Sequence, residues 1–145
     1  MDVKLLYATR TQHSRKLAGA IGERLGLTPQ NLLRDPAPES ADLLFVVGGI
    51  YGGESMPALL DYLKKLDAAK VRRAALVTSC GGGTQGQASA RRILEGKGIE
   101  VLGEFICKGS FLFFSLPHPS REDLDRAANF AEKIAAAAGL DEERR

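Results

Sequence analysis

The sequence predicts an α/β fold: a five-stranded parallel sheet of order 2-1-3-4-5 with helices on both faces, a doubly wound three-layer sandwich. Three observations predict it. Short apolar runs alternate with segments of helical periodicity, which is the rhythm of βαβ units. Two of those runs, residues 43–47 and 74–79, lack the polar alternation of a half-exposed strand. Such strands are buried on both faces, as in a parallel sheet covered by helices. Finally, a stretch rich in glycine or hydroxyl residues follows the first, third and fourth strands at once, where sheets of this kind receive ligands.

The elements follow in order. Residues 3–8 form the first strand. A helix spans 12–25, because Leu17, Ile21 and Leu25 recur every four residues on one face, and Gly26 stops it. Residues 30–33 are a weak second strand. Pro36, Pro38, Glu39 and Ser40 read as a surface loop. The third strand, 43–47, runs into a loop at residues 48–53. Pro57 suits the first turn of the next helix, preceded by Ser55 or Met56, with Leu59, Leu63 and Leu66 on its inner face. The fourth strand, 74–79, leads through Gly81, Gly82 and Gly83 to a helix at 85–95, which Gly96 and Gly98 end. The fifth strand is 99–107, and residues 111–114 are a candidate continuation after a break at Lys108 and Gly109. Ser120 caps the last helix, with Asp123 in the box position and Glu122 in the first turn. Leu124, Ala127, Ala131 and Ile134 form its buried stripe. Residues 1–140 make one domain and 141–145 a frayed tail.

Composition narrows the function. At 145 residues, 44% apolar and 26% charged, the chain suits one ordinary globular core. A net charge of +2 with no basic stripe argues against nucleic acid. No run of about 18 apolar residues is present, so no membrane-spanning helix is expected. The N-terminus lacks the layout of a secretory signal and reads directly into a strand. Two cysteines do not make a disulfide framework. A soluble, cytoplasmic protein is expected.

Three loops carry the chemistry. Thr9, Arg10, Thr11, Gln12, His13 and Ser14 join the first strand to the first helix. Free backbone N–H groups and a partial positive charge at the helix start, with three hydroxyls beside them, suit a phosphate monoester. The same residues also serve as plain helix caps. Neither a Walker A sequence nor G-x-G-x-x-G occurs here, which disfavours nucleoside triphosphates and dinucleotides.

This loop resembles the phosphate loop of flavodoxins, Ser/Thr-x-Thr-Gly-x-Thr, with Thr9, Thr11 and Ser14 on the hydroxyl positions. The resemblance runs from about Lys4 to Ile134 in the short-chain form of the family. It departs at Gln12, where the family has glycine, and in the basic Arg10, Arg15 and Lys16. It implies a flavodoxin-like domain that holds FMN and exchanges electrons with redox partner proteins through the flavin semiquinone and hydroquinone.

The resemblance also assigns the other two loops. In the second, Ile50, Tyr51, Gly52 and Gly53, Tyr51 takes the place of the aromatic residue stacked on one flavin face. Gly52 takes the place of the residue whose carbonyl turns toward flavin N5. Read simply as residues, the stretch is also a plain glycine turn. In the third, Ser79, Cys80, Gly81, Gly82 and Gly83 bring backbone N–H groups close to a flat ligand, and the family uses them on the pyrimidine edge. The family's second stacking aromatic is missing. No aromatic residue occurs between Val77 and Phe105, and Gln87 falls near that place. An open second face would admit a nicotinamide or another acceptor.

Other candidates point less far. Cys80 and Cys107 sit near the ends of neighbouring strands, as a redox pair or as two buried thiols. His13 and His118 have no metal-ligand spacing with them, so no metal is expected. Phe111, Phe113 and Phe114 read as core residues, with a partner-docking surface as the other reading. Three functions remain open: an FMN electron carrier, an FMN-dependent NAD(P)H or small-acceptor reductase, and a non-redox binding module on the same scaffold.

Overall fold

The computed structural model describes residues 1–8, 12–51, 53–80, 86–108 and 121–143, with Cys80, Lys108 and residues 140–143 described in backbone alone. Its elements are β1 (Val3–Ala8), α1 (Gln12–Leu25), β2 (Gln30–Asn31), β3 (Ala41–Tyr51), β4 (Glu54–Ser55), α2 (Pro57–Lys64), β5 (Val71–Cys80), α3 (Ala88–Gly96), β6 (Glu100–Lys108) and α4 (Arg121–Glu143). The parallel strands lie in the order β2-β1-β3-β5-β6, the order expected from the sequence.

Side-chain alternation along β3 shows why its sequence is continuously apolar. Leu43, Phe45 and Val47 enter one core cluster, with Leu17 and Ile21 of α1 and Ala127 and Ala131 of α4. Leu44 and Val46 enter the other, with Leu59 and Leu63 of α2 and Leu94 of α3. Both faces of the central strand are therefore dry. Each fully buried leucine contributes about 2 kcal/mol of transfer free energy. Between β1 and β3 the helices change sides, because α1 covers one face and α2 the other.

Several boundaries differ from the sequence reading, each for a local reason. β2 is two residues long because Asn31 folds the chain into a turn: its Oδ1 accepts from the Leu33 N–H at 3.0 Å and its carbonyl from Asp35 at 2.8 Å. A two-residue antiparallel strand, β4, interrupts the strict strand–helix alternation. Leu66 is buried beyond the end of α2 rather than on it. α3 begins at Ala88, and Gln85 lies outside the described residues. α4 runs through Glu143, into the stretch read as a tail. Pro57 opens α2 as expected, and Gly26 ends α1 at φ +70°, a conformation that costs a residue with a Cβ.

Arg73 is a buried group that sequence patterning did not single out. It is 2% exposed on β5, and its Nη1 donates to the Ala138 carbonyl of α4 at 3.1 Å. The guanidinium therefore fastens the end of the last helix to the sheet.

Gly22 on α1 makes the tightest backbone approach in this layer. A Cβ there would lie 2.6 Å from the Leu27 carbonyl oxygen, which is backbone and cannot rotate away. Gly22→Ala is expected to destabilise the protein by about 1–3 kcal/mol in chemical denaturation. An unchanged midpoint would show that the α1–β2 turn shifts freely.

Candidate cofactor-binding site

The register of the sheet brings three strand ends to one rim. Ala8 pairs with Gly48, Gly48 with Thr78, and Thr78 with Ile106. The chain segments after β1, β3 and β5 all leave from this row. Since the helices change faces between β1 and β3, the rim contains the switch point at which doubly wound sheets open a crevice.

At the first loop, Thr9, Arg10 and Thr11 lie outside the described residues. α1 starts at Gln12, and no acidic residue stands in its first turn to neutralise the helix dipole. Gln12 and His13 are exposed, whereas Ser14 is fully buried. Among the described residues, the enclosed Ser14 hydroxyl has no hydrogen-bond partner. A buried hydroxyl left unpaired is costly, so its presence at a helix start needs a reason.

The second loop departs from the sequence reading. Gly48, Gly49, Ile50 and Tyr51 continue β3 rather than forming a loop, and the chain turns at Gly53 into β4. Ile50 pairs with Ser55 and Tyr51 with Glu54. The two glycines sit in a strand because neighbours fill their side-chain space. A Cβ at Gly48 would lie 3.0 Å from Gln87 Oε1, and one at Gly49 would lie 2.8 Å from the Tyr51 hydroxyl. The partly buried Tyr51 ring is thus folded back over Gly49 at the rim, beside Ser79 of β5. Gly53 adopts φ +83°, which the tight turn demands. Gly52 lies outside the described residues.

At the third loop, β5 carries the partly buried Ser79 and ends at Cys80. Gly81, Gly82, Gly83 and Thr84 lie outside the described residues. Gln87 does not stand where a ring-covering residue would. It is fully buried, and its Nε2 donates to the Val77 carbonyl at 3.0 Å, the Thr78 hydroxyl at 3.2 Å and the Val46 carbonyl at 3.4 Å. A long amide side chain can reach across the tops of two strands, and here those bonds turn it inward. Glu104 on β6 accepts from the Gln87 N–H at 2.8 Å and so caps the start of α3.

Sequence reasoning missed a polar chain joining the second loop to α3. Glu54 Oε1 accepts from the Ser55 N–H at 2.8 Å, and Glu54 Oε2 accepts from the Ser89 hydroxyl at 2.8 Å. Arg92 Nη2 donates to the same Ser89 oxygen at 3.0 Å. The Ser55 N–H bond, then the Ser89 bond, and the nearby Arg92 charge outweigh desolvation and hold the Glu54 carboxyl below its ordinary pKa. The hairpin that carries Glu54 had a signal in the sequence, the Gly-Gly pair at 52 and 53, whereas its contacts with Ser89 and Arg92 had none.

Cys107 lies opposite Ser79, and Cys80 opposite Lys108. Burial, then the Asp123 charge and a hydrogen bond to it, push the Cys107 thiol up to about 12. It is a neutral, packed thiol at physiological pH. Phe111, Phe113, Phe114, His118 and Ser120 lie outside the described residues.

Solved structures share this fold. A flavodoxin from the domain Archaea superimposes with a TM-score of 0.74 at 14% identity, covering 96% of this chain and 99% of its own. A flavodoxin of Streptococcus pneumoniae TIGR4 gives 0.70 at 20% identity, covering 93% and 98%. The fold is flavodoxin-like. An uncharacterized protein of Methanocaldococcus jannaschii, MJ0298, is 28% identical over 149 residues, 92% of this chain and 98% of its own. No protein-family model matches the chain. Among the described residues of this flavodoxin-like chain, no helix is long and apolar enough to cross a membrane.

Proposed function

We propose that this chain is an FMN-binding electron-transfer protein, cytoplasmic, serving redox partner proteins. One observation carries the reading: Ser14 presents a buried hydroxyl, unpaired among the described residues, at the N-terminus of the helix that starts from the rim. A phosphate oxygen accepts from such a hydroxyl and from the free N–H groups of a first helical turn. The donor set therefore fits the phosphate of FMN. Ser14 would hold it together with Thr9, Arg10, Thr11, Gln12 and His13. Ile50, Tyr51, Gly52 and Gly53 would flank the ring on one side, and Ser79, Cys80, Gly81, Gly82 and Gly83 on the other. When bound, the flavin supplies one-electron chemistry that no side chain offers. The protein's part is to hold the phosphate, to present backbone groups to the ring and to keep water from one face.

A second reading rests on Gln87. With that side chain turned into the core and no aromatic residue between Val77 and Phe105, the third loop supplies no stacking side chain. An uncovered ring face suits hydride transfer from NAD(P)H to a small acceptor. Adding FMN to the purified protein tests both readings. A yellow complex with one FMN per chain is expected, and NADPH consumption by that complex would select the reductase. No binding at micromolar FMN would leave only a non-redox module on this scaffold.

A further inference from the structure

We propose that Glu54, Ser89 and Arg92 form a clasp that holds the β3–β4 hairpin, and Tyr51 with it, against α3, and so act as positioning residues for FMN; the inference rests on the reading of the rim as a flavin site. Covalently, the β3–β4 turn is a short hairpin whose only pairing is Ile50 with Ser55 and Tyr51 with Glu54 among the described residues. A hairpin this short is not stable alone. What fixes it lies across a gap of 35 residues in sequence: the Ser89 hydroxyl on the first turn of α3, which donates to Glu54 Oε2 at 2.8 Å. The other oxygen, Glu54 Oε1, holds the turn's own Ser55 N–H. Arg92 donates to the Ser89 oxygen from one turn further along the helix, which polarises the hydroxyl toward the carboxylate.

The placement of these residues gives the clasp its effect. α3 is itself anchored at its start, where Gln87 reaches the carbonyls of Val46 and Val77, and Glu104 takes the Gln87 N–H. The segment immediately before α3 carries the third-loop glycines. Tying the β4 strand to Ser89 therefore ties the hairpin to the anchored start of α3. Tyr51 is paired directly with Glu54, so a movement of the hairpin is a movement of Tyr51. Glu54 and Arg92 are exposed and Ser89 is half-buried, and none of the three belongs to either core cluster, which separates their role from packing.

The test compares Ser89→Ala and Glu54→Ala with Ser89→Thr, which keeps the hydroxyl. Each protein is examined by hydrogen exchange without cofactor and by FMN titration and one-electron potentiometry with it. The alanine variants are expected to lose amide protection across residues 50–55. Their Kd for FMN should rise by about threefold to tenfold, as loss of a charge-assisted hydrogen bond in a solvent-exposed setting implies. The first-electron potential should move, and Ser89→Thr should restore all three readouts. Unchanged protection in Ser89→Ala would overturn the clasp whether or not FMN binds. Loosened protection with unaltered Kd and potential would overturn its action on the site. Wild-type protein that takes up no FMN would instead sink the flavin reading itself, and with it the positioning role.

Discussion

Ser14→Ala is expected to make the cofactor-free protein more stable and its grip on FMN weaker. The two effects have one cause. In the free protein the Ser14 hydroxyl is buried with no partner among the described residues, and leaving such a group unpaired costs about 1–3 kcal/mol. Alanine removes the group, leaves almost no void, and has the better helix propensity. For a chain of this size the gain corresponds to roughly 3 °C in melting temperature per kcal/mol. In the complex the same hydroxyl would donate to a phosphate dianion, a bond worth about 1.5–3 kcal/mol, so Kd should rise roughly tenfold to a hundredfold. Thermal melts without FMN and titrations with it read the two signs separately. A lower melting temperature together with an unchanged Kd would make Ser14 a structural residue and remove the main support for the flavin reading. Stability held back at a binding rim is the ordinary trade between folding and function.

The parts of the fold that were legible in sequence are those governed by burial. The apolar runs at 43–47 and 74–79 became central strands because both of their faces meet helices. The strand order followed from right-handed crossovers, and Pro57 and Gly26 marked helix ends through backbone constraints that act locally. What was not legible depended on side chains distant in sequence. Gly48 and Gly49 read as a loop because glycine weakens a strand. They lie in β3 because the Gln87 amide and the Tyr51 ring occupy the space their side chains would need. Nothing in a window around residue 48 announces a glutamine at 87.

The candidate site divides the same way. Ser14 stood out in the sequence as a hydroxyl at a helix start, and the structure adds the burial that gives it chemical meaning. Gln87 was placed by analogy of position, and its three inward hydrogen bonds correct that placement. Glu54 and Ser89 were invisible because, in sequence, a lone glutamate and a helical serine each look like ordinary surface. Their pairing exists only through the topology that stands α3 beside the β3–β4 hairpin.

Stability is expected to fall steeply once the pH passes 9. Two groups drive it. The Cys107 thiol rises from 9.0 to about 12, through burial first and then the Asp123 charge and hydrogen bond. The Tyr62 hydroxyl, which donates to the Pro38 carbonyl, rises from 10.0 to about 12, through burial first and then the Glu39 charge. Both folded values lie above the unfolded ones, so the native state retains protons that the unfolded chain releases. The stabilisation is therefore complete below the unfolded values and lost as pH rises through the folded ones. Each group in that window contributes a slope of about −1.4 kcal/mol per pH unit, so the decline should roughly double in steepness above pH 10, where Tyr62 joins Cys107. Urea denaturation at intervals from pH 8 to 11 measures it. Cys107→Ala should flatten the stretch from pH 9 to 10, and Tyr62→Phe should remove the later steepening while costing about 1 kcal/mol at neutral pH for the lost hydrogen bond. A wild-type midpoint that stays level across this range would mean that neither group is as enclosed as its surroundings indicate. The enclosure of Cys107 also bears on redox chemistry at the rim. The thiolate is the reactive form, so a thiol held neutral to about 12 should resist iodoacetamide at pH 8 until the chain unfolds. Ready labelling of Cys107 in the native protein would restore the redox-pair reading that its burial argues against.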